Sequence, residues 1–290
     1  MTVLFQTRRN FLLSTGALTL GCASARKPAG QTVAVIKTLA TPLHQPTITA
    51  YPNLNQAVAA IVKQQPTLIA FGEIHKLAPN PIVSTSRRFA DTLPLLADAG
   101  YRDLIIEFLP FGENGKKEVV EYLQTRTLGP LLSDYIIGHP DEEGIMAILL
   151  QARKLKIKGQ EFNLHGIHAQ NRQEYEQANQ SNNPSISQLI NERMLSTINS
   201  LAGRRIITYT GAHHNNLVPL PDKENFSNGK ALRRILGDNY VEVDLYLPEL
   251  IATVQTIYLS LEHLDLPSSG LNSIRYPNGR YVILFAYTDK

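Results

Sequence analysis

The sequence predicts an α/β fold in which a mainly parallel sheet is covered by helices on both faces, in three layers. Two features of the sequence support this prediction. Short, continuous apolar runs, typical of strands buried in parallel sheets, alternate along the chain with longer stretches of helical spacing. The chain has 290 residues, of which 43% are hydrophobic and 18% charged, enough for one large domain or two small ones with a buried core.

The first predicted element is a helix over residues 54–64, with Asn53 as its N-cap and Pro66 ending it. The apolar runs beyond it predict strands over residues 68–71, 104–108, 162–167, 205–209, 240–245 and 281–287. Helical patterns cover residues 84–99, 116–124, 142–155 and 185–201, and residues 111–140 form a helical excursion between the second and third strands. The final strand is compatible with an antiparallel position at the sheet edge.

The first 22 residues are typical of a twin-arginine export signal. An arginine pair, Arg8 and Arg9, precedes an apolar run over residues 11–21, which is too short to span a membrane because a spanning helix needs roughly 20 apolar residues. These arginines are the only charged side chains among residues 1–22, so they account for two of the three net positive charges of the chain. The remaining basic residues are scattered, which gives no support for nucleic acid as a partner.

Cys22 is the only cysteine and stands where the apolar run ends, as the lipidated cysteine of an exported lipoprotein does. Thr19 stands where such a signal usually has leucine. Cleavage after Ala23 or Ala25 is the alternative and would release a periplasmic or secreted protein. The sequence therefore predicts a cell-envelope protein anchored to a membrane through a lipid on Cys22. Residues 23–50 are expected to form a tether and lead-in, and residues 51–290 a single α/β domain.

Polar residues follow several of the predicted strands at their carboxyl ends, where open parallel sheets bind ligands. The candidate residues are Glu73 and His75 after the first strand, Glu107 in the second, His165 and His168 in the third, and His213 and His214 after the fourth. Five of the chain's 8 histidines are in this set. Imidazoles and carboxylates hold zinc, manganese or iron ions, and they also serve in acid–base catalysis.

Each of these residues also has a structural interpretation. Glu107 could be a buried acid paired with Arg87 or Arg88, because an unpaired buried carboxylate is unfavourable. His165 alternates with core-facing residues, which favours a structural role. One of His213 and His214 could cap the loop, since neighbouring residues at a strand end point to opposite sides. Tyr209 is expected to pack in the core.

Two G-x-x-H elements carry a resemblance to a known superfamily. Residues 72–75 (Gly-Glu-Ile-His) and 211–214 (Gly-Ala-His-His), with the acidic strand end at Glu107 and the Asn-Glu-Arg-Met segment at 191–194, resemble the superfamily of erythromycin esterases, TIKI/TraB proteins and ChaN-type haem-binding lipoproteins. The resemblance covers residues 54–218. His168 and His213 are additional to the family pattern, in which an aspartate is more usual near His168.

The TIKI-like branch implies a divalent-metal-dependent hydrolase that acts on a peptide or ester bond of a small-molecule or peptide substrate. His75, Glu107 and His214 would hold a zinc, manganese or iron ion, His168 or His213 would complete the shell, and Glu73 would act as the base. The ChaN-like branch implies a haem-binding lipoprotein in iron uptake, with His213 or Tyr209 as the axial ligand. A third alternative is a family member that binds a partner without catalysis.

Overall fold

The computed structural model describes residues 46–74, 84–180, 185–219, 221–248 and 270–285. The predicted signal over residues 1–22, the predicted lipidation site Cys22 and the candidate ligand His75 lie outside the described residues. All structural statements below concern the described part of the chain.

The described strands form one eight-stranded sheet, in the order β1-β7-β8-β6-β2-β5-β3-β4. Their bounds are β1 Thr47–Tyr51, β2 Leu68–Glu73, β3 Asp103–Pro110, β4 Asn163–His168, β5 Ile206–Gly211, β6 Tyr240–Tyr246, β7 Leu271–Arg275 and β8 Arg280–Leu284. Every neighbouring pair from β8 across to β4 is parallel, and only β7 runs antiparallel to its neighbours β1 and β8. This arrangement, with its flanking helices, confirms the predicted fold class.

The last strand differs from its expected place at the sheet edge. β8 pairs parallel with β6 and lies inside the sheet, because β7 pairs with its other side and β1 pairs with β7. The chain turns between β7 and β8 at Gly279, whose φ of 83° is a conformation that glycine adopts without strain. The edge strand β1 begins at Thr47, within the stretch 23–50 that the sequence indicated as tether and lead-in.

Along the chain, most of the described helices connect one parallel strand to the next. Their bounds are α1 Leu54–Val62, α2 Thr85–Ala90, α3 Leu93–Asp98, α4 Gly112–Thr125, α5 Pro130–Ile136, α6 Glu142–Ile157, α7 Arg172–Gln180, α8 Ile186–Ser200, α9 Ala212–Asn215 and α10 Gly229–Leu236. Two 3-10 segments, Pro221–Phe226 and Gly237–Asn239, flank α10. None of these helices combines the length and the apolar character that crossing a membrane requires.

One predicted helix is divided in two. The pattern over residues 84–99 predicted a single helix, whereas α2 ends at Ala90 and α3 starts at Leu93. Pro94 lies in the first turn of α3 and has no N–H to donate to a carbonyl one turn earlier, so a continuous helix would lose a hydrogen bond there. The Thr92 hydroxyl instead donates to the Phe89 carbonyl at 2.7 Å.

Each face of the sheet has its own apolar core. One core packs residues of α1 to α6 against Ile69 and Phe71 of β2, and the other packs α8 and α10 against Leu68 and Ala70. Successive side chains of a strand point to opposite faces. A polar residue at a strand end therefore belongs to one helical layer or the other, and this division decides which candidate residues can meet.

Candidate active site

Glu107 and His214 form a buried pair at the carboxyl ends of β3 and β5. The Nε2 atom of His214 lies 3.7 Å from Oε1 of Glu107. The second carboxylate oxygen of Glu107 accepts a 2.7 Å hydrogen bond from the backbone N–H of Gly211. The exposed fraction is 8% for Glu107 and 6% for His214. The structure thus brings together two of the residues that the sequence predicted as functional, an acid and a base within direct reach of each other.

The other ring nitrogen of His214 contacts Asn191, which extends from α8. The Nδ1 atom lies 2.7 Å from Oδ1 of Asn191, and Asn191 is itself buried. The sequence indicates Asn191 only as part of a helical segment, and this contact was not predicted. The signal that could have revealed it is a polar residue between Ile190 and Met194, on a helix face that otherwise packs into the core.

The short helix α9, which carries His214, is fixed to the sheet at several points. Nδ2 of Asn215 donates to the Phe71 carbonyl at 3.0 Å and to the Thr210 hydroxyl at 2.8 Å. The Tyr240 hydroxyl donates to the Asn215 carbonyl at 2.8 Å. At Gly72 the approach is close enough that a β-carbon would lie 2.7 Å from the Cα of Ala212. These contacts order the segment around His214.

Glu73 lies in the other helical layer, away from the Glu107–His214 pair. Its Oε2 accepts hydrogen bonds from the hydroxyls of Thr85 in α2 and of Tyr209 in β5. Tyr209 is fully buried and stacks on Phe89 with ring centroids 4.3 Å apart. Burial raises the pKa of Tyr209 well above its ordinary value, and the neighbouring Glu73 carboxylate raises it further. The Tyr209 hydroxyl therefore acts as a hydrogen-bond donor to Glu73.

His168 lies in a separate aromatic cluster at the end of β4. Its ring stacks on Tyr175 with centroids 5.4 Å apart and meets Tyr135 edge-on at 5.2 Å. The backbone oxygen of His168 accepts a 2.5 Å hydrogen bond from Arg193 of α8, which also pairs with Glu174. His168 is thus surrounded by residues of α5, α7 and α8.

The remaining candidates occupy different surroundings. His213 is exposed on α9. His165 pairs with the fully buried Asp103 at 2.9 Å, in line with a structural role, and Asp103 also accepts from Arg204.

The two arginines suggested as partners of Glu107 contact other residues. Arg87 pairs with Asp91 at 2.9 Å, and the Arg88 guanidinium lies over the Phe285 ring.

The predicted metal site requires several donor atoms within reach of one point. Glu107 and His214 present a carboxylate oxygen and an imidazole nitrogen to each other, which are suitable donor types for a transition metal. Among the residues that the structure describes, no group of three or more His, Cys, Asp or Glu side chains is arranged to hold an ion. The metal-donor side chains that the described part of the chain brings together here are those of Glu107 and His214.

A second buried charge cluster, missed in the sequence, lies on β6. Glu242 and Asp244 are both fully buried and share the side chain of Arg280, which lies 2.6 Å from Asp244 and 3.3 Å from Glu242. Burial raises the pKa of Glu242 well above its ordinary value, and the Asp244 charge adds to this effect while Arg280 opposes it. Glu242 also accepts a 2.8 Å hydrogen bond from the backbone N–H of Leu217, just beyond α9.

No family model matches the chain, and no curated protein matches it in sequence. Among solved structures the chain is similar to a Bacillus cereus succinoglycan biosynthesis protein, with 12% identity and a TM-score of 0.50 over 70% of this chain and 73% of that one. It is also similar to a mutant of the erythromycin esterase EreC in its open conformation, with 9% identity and a TM-score of 0.48 over 69% of this chain and 77% of that one.

A third similar structure is RRSP, a MARTX toxin effector domain from Vibrio vulnificus, with 15% identity and a TM-score of 0.40. The match covers 56% of this chain and 31% of that one, so this chain spans about a third of the length of that structure. At these identities the likenesses concern the fold alone. The chain shares with the succinoglycan biosynthesis protein an α/β architecture built on a mostly parallel sheet flanked by helices.

Proposed function

We propose that the protein is a hydrolase of ester or amide bonds in the cell envelope, with Glu107 and His214 as its acid–base pair. The observation that carries this proposal is the 3.7 Å approach of the two side chains at the carboxyl ends of the parallel strands. Ligands of open α/β sheets bind at this edge. Both residues are buried, and a low-dielectric site strengthens the interaction between an imidazolium and a carboxylate.

The geometry supports a direct hydrolytic step. A water molecule attacks the carbonyl carbon of the substrate while His214 accepts its proton at Nε2, and the same nitrogen then returns that proton to the leaving oxygen or nitrogen. Glu107 stabilises the imidazolium that forms between these two transfers. The Gly211 N–H holds the carboxylate in place by its bond to Oε2, which leaves Oε1 directed toward His214.

A divalent ion remains part of the proposal. If an ion were held by Glu107 and His214 with a further ligand, it would supply a bound water of lowered pKa. The resemblance named His75 and His168 as such ligands. Of these, His168 lies in the cluster with Tyr135 and Tyr175. The acid–base roles of Glu107 and His214 do not require the ion.

The experiment is a hydrolysis assay of the exported full-length protein against p-nitrophenyl esters and a set of peptide amides. On the substrate that the wild type cleaves, we expect Glu107→Gln and His214→Gln to lower kcat/KM by roughly 10²–10⁴-fold, the range typical of general acid–base groups. The matched control is Glu113→Gln, the same carboxyl-to-amide change on an exposed residue of the first turn of α4, and it should keep wild-type activity.

Two further measurements separate the alternatives. Loss of activity on chelation, with recovery on adding zinc or manganese, supports the ion, and full activity in chelator supports the pair acting alone. Wild-type rates in a folded Glu107→Gln variant would refute the proposed catalytic pair. A Soret band on stoichiometric haem titration, together with no hydrolysis of any substrate, would favour the haem-binding function instead.

A further inference from the structure

The side-chain amide of Asn191 has only one orientation that satisfies its contacts. Its Nδ2 donates to the backbone carbonyl of Asn225 at 3.2 Å. A carbonyl oxygen can only accept a hydrogen bond, so the amide nitrogen must be the atom that faces it. The amide oxygen is then turned toward His214. This assignment follows from the Asn225 carbonyl and holds even though amide nitrogen and oxygen are hard to distinguish by shape.

This orientation decides the protonation of the His214 ring. Oδ1 of Asn191 lies 2.7 Å from Nδ1 of His214, and an amide oxygen can only accept. Nδ1 must therefore carry a hydrogen. In the neutral imidazole only one ring nitrogen is protonated, so Nε2 presents its lone pair. Nε2 is also the atom that faces Glu107.

Further contacts keep Asn191 in register with the histidine. Its backbone carbonyl accepts a 2.9 Å hydrogen bond from Nδ2 of Asn228. The backbone N–H of the same Asn228 donates to the carbonyl of His214 at 2.9 Å. Asn228 thus forms hydrogen bonds with both Asn191 and His214, and all three residues are at least nine-tenths buried. An arrangement with this many mutual hydrogen bonds is rigid.

We propose that Asn191 is a positioning residue that keeps the proton of neutral His214 on Nδ1 and thereby makes Nε2 the proton-accepting atom. This inference rests on the proposed function, because it names the nitrogen that acts as the base. If Nε2 carried the hydrogen, it would be a donor directed at the Glu107 carboxylate and would have no lone pair for a proton from water. Asn191 excludes that state by requiring a donor at Nδ1.

The test is the ¹⁵N NMR spectrum of the histidine ring nitrogens in the full chain, with His214 assigned by its loss in His214→Gln. At a pH high enough for the imidazole to be neutral, we expect His214 to show a protonated Nδ1 and an unprotonated Nε2. In Asn191→Leu, which keeps the side-chain size but has no acceptor, the proton should move to Nε2. A wild-type spectrum with unprotonated Nδ1 would overturn the proposal, as would an unchanged His214 in Asn191→Leu.

Two other variants complete the experiment. Asn225→Ala keeps the backbone carbonyl that orients Asn191, so the His214 spectrum should stay as in the wild type. Asn191→Asp keeps an acceptor oxygen and should keep the proton on Nδ1, which provides the decisive comparison if Asn191→Leu does not fold. A folded Asn191→Asp variant with a proton on Nε2 and none on Nδ1 would contradict the inference.

Activity gives an independent readout. For Asn191→Leu we expect kcat to fall roughly 10–100-fold, as when an outer partner of a functional histidine is removed, while KM stays near the wild-type value. The NMR result does not depend on catalysis. The expected ring protonation in a protein that hydrolyses nothing would support the positioning by Asn191 and refute the proposed function.

Discussion

Replacing Gly72 with alanine tests how closely α9 must approach the sheet. A β-carbon added at Gly72 would lie 2.7 Å from the Cα of Ala212 and 2.7 Å from Oδ1 of Asp244. Carbon atoms in contact are normally about 3.5–4.0 Å apart, so the new methyl group overlaps the Ala212 Cα by about 1 Å and also lies too close to the Asp244 oxygen. In an unconstrained strand position, a change from glycine to alanine would instead stabilise the protein by about 0.4–1 kcal/mol through the unfolded state.

Neither neighbour of Gly72 can move aside without losing contacts. Asp244 is held by Arg280 through bonds of 2.9 and 2.6 Å, and α9 is held at Asn215 by the Phe71 carbonyl and the Thr210 hydroxyl. Overpacking of this kind typically reduces stability by about 1–3 kcal/mol. Because both neighbours are fixed, we expect the upper part of this range, about 2–3 kcal/mol.

The assay is urea denaturation of the wild type and Gly72→Ala, followed by circular dichroism. In a thermal melt followed by the same signal, the expected loss corresponds to a decrease in Tm of roughly 5–10 °C for a domain of this size. Gly159→Ala serves as a comparison for backbone strain without overlap, because no atom lies within 4 Å of its added β-carbon while its positive φ of 77° disfavours alanine. An unfolding free energy within about 0.5 kcal/mol of the wild type would show that α9 is not held against β2 as described.

Two pH-dependent predictions follow from buried groups. Burial and the Asp244 charge raise the pKa of Glu242 above 4.5, so its contribution to stability is complete below that pH and declines as pH rises. Glu242→Gln, which mimics the neutral acid, should therefore raise the urea midpoint at a pH of about 8 and change it little at about 4. Burial raises the pKa of Tyr101 from 10.0 to about 12, and Arg205 opposes the shift. The contribution of Tyr101 to folding stability is therefore complete below pH 10 and is lost as pH rises to about 12. Tyr101→Phe removes a 2.6 Å hydrogen bond to the Pro66 carbonyl, so the variant should be less stable than the wild type at a pH of about 9. Because phenylalanine does not ionise, the variant should lose less stability than the wild type when the pH rises from about 9 to about 11. Equal losses of stability in the wild type and in Tyr101→Phe over this pH range would contradict the prediction for Tyr101.

The parallel strands were predictable because most of them contain a short apolar run. β2, β3, β5 and β6 are buried along their whole length, so their composition is that of a core strand. β1 lacks this signal because all five of its residues are only partly buried or exposed. The polar helix α7 was missed for the same reason, since Tyr175 and Ala178 are its only buried residues.

The sequence predicted which residues of the candidate site lie at strand ends, but not which of them contact each other. The parallel order places Glu107 and His214 at the same edge, and the structure brings them together. It does not bring Glu73 to them. The helical layer that a strand-end residue joins depends on strand register and on local irregularities, such as the register shift of β3 between Ile106 and Pro110. Asn191 reaches His214 across 23 positions of sequence, a pairing that no local pattern encodes.

The helix α8 determines more than the orientation of one histidine. Asn191 extends from it to the segment after β5, and Arg193, two residues later, binds the carbonyl at the end of β4. Side chains of one helix thus bond to two separate strand ends, and a helix is a stiff element whose hydrogen bonds resist stretching. The separation between His214 and the carbonyl of His168 is therefore constrained by α8. A ligand that bridges these two strand ends would meet a preorganised template and lose less conformational entropy on binding than it would in a cleft that had to assemble around it.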